Sequence, residues 1–327
     1  YSVSRVPRAV LRSPVKVATF HRFVDVASPR ELRGALRARC ADADLLGTIL
    51  VAAEGVNGTL AGSEAGIRDV LEFLGNTIGG GAALDARWTE AESAPFRRLR
   101  VKVKNEIVTL GRPDIRPQRR TGEHVDIDRW HALLDDPQTL VIDTRNHYEI
   151  EVGTFPQAID PGTDSFRQFS RFAERLAAGE RDRPVAMFCT GGIRCEKASA
   201  LLIELGFDEV YQLQGGVLRY LDEVENENNR WSGACFVFDT RVAVDRDLSE
   251  GGYVQCHACR RPLSSEDLAA PEYREGVSCP RCVHELDADR AERLAERRRQ
   301  VELARSRGAR HIGAPASRSR QKSLTFP

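Results

Sequence analysis

The sequence predicts two α/β modules in series, an α+β module and then a doubly wound parallel sheet, with a short cysteine-rich segment behind them. Three observations carry this. Strand-like and helix-like periods alternate from residue 15 to about residue 224. The alternation breaks once, at residues 113–125, where Pro113, Pro117 and Gly122 sit among Arg116, Arg119 and Arg120 with no apolar period. After about residue 226 the periods give way to irregular sequence containing two close cysteine pairs. A length of 327 residues, about twice a usual domain, agrees with this division. With 41% hydrophobic and 29% charged residues there is apolar material for real cores, which argues against wholesale disorder. Lysine plus arginine, 48, balances aspartate plus glutamate, 48, so partner preference has to be read from local charge. No apolar run is long enough to span a membrane, and Tyr1-Ser2-Val3-Ser4-Arg5 lacks the apolar core of a signal peptide, so a cytoplasmic protein without membrane attachment is expected.

Residues 1–14 show no period and are expected to be a flexible N-terminus; residues 15–112 form the first module. Residues 15–20 and 47–52 alternate as strands. Between them Ser28-Pro29-Arg30-Glu31 opens a helix, with serine at the cap, proline at the first helical position and an acid three residues after the cap. A second helix runs over 67–74 between Gly66 and Gly75, and residues 88–89 and 98–104 supply further strand. The order β-α-β-(β)-α-β-β fits a ferredoxin-like, acylphosphatase-like α+β module.

Residues 113–125 read as a linker and residues 126–228 as the second module. Helix 127–134, strand 140–143, helix 166–178, strand 185–188, helix 196–205, strand 210–213 and helix 217–224 repeat a β-α unit with short, wholly apolar strands. That pattern requires a parallel sheet covered on both faces.

The strongest chemical signal is Met187-Phe188-Cys189-Thr190-Gly191-Gly192-Ile193-Arg194-Cys195, which places a cysteine where an apolar strand ends and a helix begins. Ligands bind at strand carboxyl ends in such sheets. Gly191 and Gly192 let the backbone curl so that successive N–H groups point at one anionic atom, and the helix N-terminus adds partial positive charge. With the Arg194 guanidinium nearby, Cys189 is expected to be a thiolate at neutral pH and a competent nucleophile. Cys195 reads either as a resolving thiol or as a supporting, packing residue. Cys40 and Cys235 read as isolated core cysteines. Asp143 and Arg145, near the end of a strand, either orient the loop or form a structural ion pair. No redox-cofactor motif is identifiable. His147-Tyr148-Glu149 contains a His-x-Glu, but no third ligand can be nominated for an iron oxygenase.

Cys189 to Arg194 resembles the active-site loop of a rhodanese domain, and two further stretches agree with it: Val141-Ile142-Asp143-Thr144-Arg145 followed by Tyr148-Glu149 and Val152-Gly153, and Leu213-Gln214-Gly215-Gly216-Val217. Related cysteine phosphatases have a loop one residue longer; four residues separate Cys189 from Arg194, which disfavours a phosphatase. Ala53-Glu54-Gly55-Val56-Asn57-Gly58-Thr59, Leu99-Arg100-Val101-Lys102-Val103-Lys104 with Glu106-Ile107-Val108, and Arg145-Asn146-His147-Tyr148-Glu149 narrow the resemblance to the bacterial rhodanese-domain tRNA hydroxylases, over nearly all of residues 15–285. That resemblance implies an oxidoreductase that uses molecular oxygen as a substrate to hydroxylate carbon 5 of the wobble uridine, position 34, of tRNA. It also implies contact with the anticodon stem-loop. A sulfurtransferase carrying a persulfide on Cys189, and a non-catalytic RNA-binding scaffold, are the competing readings.

Residues 229–289 contain Cys256-x2-Cys259 and, nineteen residues on, Cys279-x2-Cys282, the spacing of a tetrahedral zinc knuckle. Four thiolates close the shell and suit a structural ion, with His257 and His284 as spare ligands. Residues 290–327 read as a basic helix and disordered tail. They hold eleven arginines and lysines against three acids, including Arg297-Arg298-Arg299, Arg305, Arg307 and Arg310. In a tRNA-acting protein that segment, with linker residues Arg112, Arg116, Arg119 and Arg120, reads as a phosphate-contacting surface. The glycine-containing turn at Glu54 to Thr59 either lines an RNA groove or closes a hairpin.

Overall fold

A computed structural model describes residues 15–308 except 82 and 92. The expected flexible N-terminus and the tail beyond 308, Arg310 included, lie outside the described residues. The chain divides between Tyr253 and Val254 into two compact units.

The first unit opens with β1 (Val15–Phe23), α1 (Pro29–Asp42), β2 (Leu46–Ala52), β3 (Gly55–Gly62), α2 (Glu64–Ile78), β4 (Arg87–Ala91) and β5 (Leu99–Val103). The sheet order is β4-β1-β3-β2-β5, antiparallel except for the β2–β5 pair at the edge. This is the acylphosphatase-like α+β module that the element order predicts. Ser28 stands at the N-cap of α1 with Pro29 following, though its hydroxyl makes no cap hydrogen bond; at α2 the Ser63 side chain accepts from Gly66 N–H. Leu32 and Leu36 of α1 and Ile67, Val70 and Leu74 of α2 bury one face of the sheet with Phe20, Ile49 and Leu60. Each such side chain contributes about 1.5–3 kcal/mol through burial. Side chains alternate along β1, so with Phe20 directed into this core, Thr19 and His21 are turned to the other face. Ala52 pairs with Gly55 across a two-residue turn, so the glycine-containing segment closes a hairpin and then runs on as β3, in the middle of the sheet.

The second module comprises β6 (Glu123–Val125), α3 (Ile127–Asp135), β7 (Leu140–Asp143), α4 (His147–Ile150), β8 (Gly153–Thr154), α5 (Phe169–Ala177), β9 (Val185–Phe188), α6 (Ile193–Glu204), β10 (Val210–Leu213) and α7 (Gly216–Glu223). Its parallel sheet has the order β6-β10-β9-β7. Phe169, Ala173, Leu201 and Leu202, from α5 and α6, cover one face with Met187; Trp130, Leu133, Val217 and Tyr220, from α3 and α7, cover the other with Phe188. The strands are therefore buried on both sides, which is why they lack polar alternation.

Three features depart from the expected division. The last part of the expected linker is β6, an edge strand paired with β10, and Ile115 within it is buried in the core beneath α5 and α6. Helix α6 begins at Ile193, three residues before the expected start, because Gly192 takes a left-handed φ of 90° and lets the chain turn straight into the helix. Residues 229–253, grouped by sequence with the cysteine pairs, pack on the second module. β11 (Ser232–Gly233) pairs with β8, β12 (Cys235–Phe236) pairs with β13 (Ala243–Val244), and Trp231, Cys235 and Val244 join the core of Phe155 and Phe188. Two-residue strands carry no period to read.

In the second unit β14 (Val254–Gln255) pairs with β15 (Pro262–Leu263), and α8 (Ser265–Ala269) precedes the long α9 (Ala288–Ser306), which has no buried residue. Among the described residues no helix is long and apolar enough to cross a membrane.

Candidate active site

Cys189 leaves β9, one of the two inner strands of the sheet, and is 1% exposed. The Gly192 N–H donates to Cys189 Sγ at 3.1 Å. Burial by itself pushes the thiol up. The hydrogen bond from Cys195, the Arg194 charge and the backbone N–H groups of Arg194 and Cys195 together outweigh it, and the Cys189 thiol is brought down to about 5. The other buried cysteines isolate the cause. Burial pushes Cys40 up to about 11 and Cys235 up to about 12. It is thus the loop, and not the interior, that makes Cys189 acidic. Cys195, buried, is held well above the usual thiol range by burial and by the Cys189 sulfur, and its own sulfur lies 3.6 Å from Thr144 Oγ1.

Arg194 is fixed by a two-pronged pair to buried Glu149, Nη1 to Oε2 at 2.6 Å and Nη2 to Oε1 at 2.8 Å, with Thr190 Oγ1 at 3.3 Å. Glu149 in turn accepts from Asn146 N–H, closing a capping box on α4. His147 instead meets Asp160 at 2.6 Å and is half exposed, so the His-x-Glu residues serve separate partners. Asp143 and Arg145 form a wholly buried bidentate pair. Arg145 also donates to Gly153 O at 2.6 Å and lies over Trp231, while Thr154 Oγ1 donates to Asp143. These contacts tie β7 to β8 and do not reach the thiol.

The glycine pair after β10 acquires a steric reason. Val217 N–H donates to Cys189 O at 2.9 Å and Leu218 N–H to Thr190 O at 3.0 Å, so the start of α7 grips the loop from behind. Gly216 has φ of 68°, and a methyl there would lie 2.5 Å from Cys189 O and 2.8 Å from Gly192 N. No other residue fits.

Several site features were not legible in the sequence. Lys197 of α6, fully buried, reaches across to the first module, meeting Glu54 at 2.8 Å and Glu106 at 2.6 Å. Glu54 accepts from Ile107 N–H, and Glu106 from the N–H groups of Leu110 and Gly111. A cleft of about 460 Å³ is lined by His21 and Arg87 of the first module and by Gly191, Gly192, His124 and Arg219 of the second. His21 is half-buried; a methyl built on Gly192 would lie 3.8 Å from its Cε1, and burial lowers its imidazole below the usual range, keeping it neutral at pH 7. His124 meets Glu196 at 2.8 Å, and that hydrogen bond raises the imidazole. None of these residues stands at a spacing that marks it, because each contact joins segments far apart in sequence.

Residues 15–107 match the family model described as the UPF0176 acylphosphatase-like domain, and residues 126–223 match the rhodanese-like domain. Over 308 residues, 94% of this chain and 98% of the relative, the chain is 47% identical to the tRNA uridine(34) hydroxylase of Agrobacterium fabrum. The chain belongs to the tRNA uridine(34) hydroxylase family. A second member, from Mesorhizobium japonicum, is 48% identical over 92% of this chain and 97% of its own length, and a third, from Rhizobium leguminosarum, is 47% identical over the same shares. The relationship thus spans both modules and the cysteine-rich unit.

In that unit Cys256, Cys259, Cys279 and Cys282 come together with all four sulfurs within 4.8 Å of one another, a set that can hold a metal ion. Cys259 and Cys279 stand 3.7 Å apart, Cys256 and Cys282 4.0 Å, and Cys279 and Cys282 3.5 Å, all far beyond a disulfide bond. Arginines of α9 are partly engaged, Arg298 with Glu275 and Glu302 and Arg299 with Glu296. Of the linker arginines, Arg112 pairs with Asp114 and Arg116 with Asp25.

Proposed function

We propose that this chain hydroxylates carbon 5 of uridine 34 in tRNA, with molecular oxygen as co-substrate and Cys189 as the nucleophile. The observation that supports this best is a buried thiol held at about 5 by its own loop, in a chain of this family. A thiolate that adds to carbon 6 of the uracil ring moves the carbon 5–carbon 6 π electrons onto carbon 5 and O4, so that carbon 5 can bond one atom of O2; the second atom leaves as water with two electrons and two protons from an external two-electron reductant, and loss of the carbon 5 proton expels the thiolate. The backbone N–H groups and Arg194 hold the sulfur anionic before the addition and receive it again when the double bond re-forms. Asp143 and Arg145 act as a structural pair that ties β7 to β8. His21 and His124 supply protonatable groups at the cleft that adjoins Gly191 and Gly192.

The four cysteines hold zinc. Zinc–sulfur bonds of about 2.3 Å in a tetrahedron put the sulfurs about 3.8 Å apart, and the observed separations of 3.5, 3.7 and 4.0 Å match that spacing. A closed shell of thiolates gives the ion a structural role. The exposed arginines of α9 are one phosphate-contacting segment for the tRNA, and Arg119 and Arg120 of the first unit are another. A tRNA substrate puts the enzyme in the cytoplasm.

Mass analysis of position 34 in tRNA from a strain lacking this gene, with wild type or Cys189→Ala restored, is the test. Loss of the 5-hydroxyl, regained with wild type alone, is the expected result. Loss of a thio group instead would make the chain a sulfurtransferase, and an unchanged uridine 34 would leave it a scaffold.

A further inference from the structure

Phe238 is 64% exposed, and among the described residues no other phenylalanine, tyrosine or tryptophan stands exposed. It lies two residues beyond β12, far in sequence from the cysteine loop, yet Arg194 Cζ is 5.8 Å from its ring centroid. The ring is held in place. It packs edge-on against buried Phe236 at 5.1 Å and 85°, and Phe236 packs against Tyr148 at 5.4 Å and 81°. Arg194 is itself immobilised by Glu149 and Thr190. A flat apolar surface is thereby presented to solvent beside the loop that carries the thiolate, where water is its poorest neighbour.

The chemistry of the site names an occupant for that surface. The sulfur is buried, and a base still stacked in an RNA loop cannot bring a ring carbon to it; the base has to leave its neighbours and find a replacement stacking partner. An aromatic side chain flanked by a guanidinium is the usual partner for an unstacked base. We propose that Phe238 is the platform on which the uracil ring of the target nucleotide stacks while it is presented to Cys189. This rests on the hydroxylase reading, and it identifies a substrate-binding residue that lies outside both modules matched by family models.

The test uses the full chain and an anticodon stem-loop RNA with uridine at position 34, alongside the same RNA with an abasic site there. Phe238→Ala is expected to lower kcat/KM for hydroxylation by roughly ten- to a hundredfold, with thermal unfolding unchanged because the ring is exposed. Phe238→Tyr and Phe238→Trp should restore most of the activity. The indole introduced by Phe238→Trp should be quenched by the uridine RNA and not by the abasic RNA, over the background of the wild-type tryptophans. That binding readout does not depend on turnover. If wild type fails to hydroxylate while the quench discriminates the two RNAs, the hydroxylase reading falls and the platform stands. If wild type hydroxylates and Phe238→Ala matches its kcat/KM, or the two RNAs quench alike or not at all, the platform is refuted.

Discussion

Replacing Cys195 tests how the Cys189 thiol is made acidic. Among the influences that lower the Cys189 thiol that of the Cys195 side chain is the largest; the Arg194 charge and two backbone N–H groups supply the rest. Hydrogen bonds to charged groups are worth about 1.5–3 kcal/mol, and an S–H donor belongs at the low end. Cys195→Ala should therefore raise the Cys189 thiol from about 5 to about 6, since 1.36 kcal/mol corresponds to one pH unit. Cys195→Ser, which keeps a donor, should leave it low. The measurement is a pH titration of thiolate ultraviolet absorbance, taken as the difference from Cys189→Ser so that the other cysteines cancel. Stability carries the same signature. A thiol lowered on folding stabilises the native state fully above its unfolded value of 9.0, and the contribution fades as pH falls, vanishing below about 5. At pH 7 it amounts to roughly 3 kcal/mol, of which Cys195→Ala should remove about half. A midpoint for wild type between about 8 and 9 would refute the caged thiolate. An unshifted midpoint in Cys195→Ala would make Cys195 a packing residue.

Other perturbations follow from the contacts around the loop. Lys197→Met leaves Glu54 and Glu106 as uncompensated buried acids and should destabilise the first unit by about 3–5 kcal/mol in denaturant unfolding. Adding Glu54→Gln and Glu106→Gln, which keep the carbonyl acceptors, should recover most of that loss. Gly216→Ala drives a methyl to 2.5 Å from Cys189 O, so it should abolish turnover and return the Cys189 titration toward the ordinary thiol range even in protein that remains folded. Chelation at neutral pH should release about one zinc per chain, with hydrogen-exchange protection lost in residues 254–286 and retained in β9 and α6; metal content well below half an equivalent in reduced protein would count against the site.

What was legible in the sequence was whatever rests on local chemistry. The order of elements in the first module, the buried strands of the second, the Cys189 to Arg194 loop and the two cysteine pairs all follow from periods or spacings within a few residues. Boundaries failed where elements are too short to have a period, as in the two-residue strands of residues 229–253, and where one backbone angle decides, as at Gly192. Function-bearing contacts failed for another reason. Phe238 over Arg194, His21 beside Gly192 and Lys197 between Glu54 and Glu106 join residues separated by dozens of positions, and each residue type is unremarkable where it stands. Glu54 and Glu106 nevertheless fall inside two segments whose resemblance first identified the family, and Lys197 stands three residues past the Cys189 to Arg194 loop, so stretches far apart in sequence prove to be a single contact in space.

That contact also ties the first module to the helix that follows the cysteine loop. Successive residues on a helix point about 100° apart, and the first turns of α6 use this fully. Cys195 turns inward to the thiolate, Glu196 reaches His124 and Thr121 at the linker, and Lys197 crosses to the first module. The loop preceding α6 cannot shift without straining all three attachments, one of which lies in the first module. An isolated second module would keep its cysteine and its glycines but lose both acids that pair with Lys197. The first module is therefore part of what holds the sulfur in position. Its removal should cost activity even for a substrate small enough to need no RNA-binding surface.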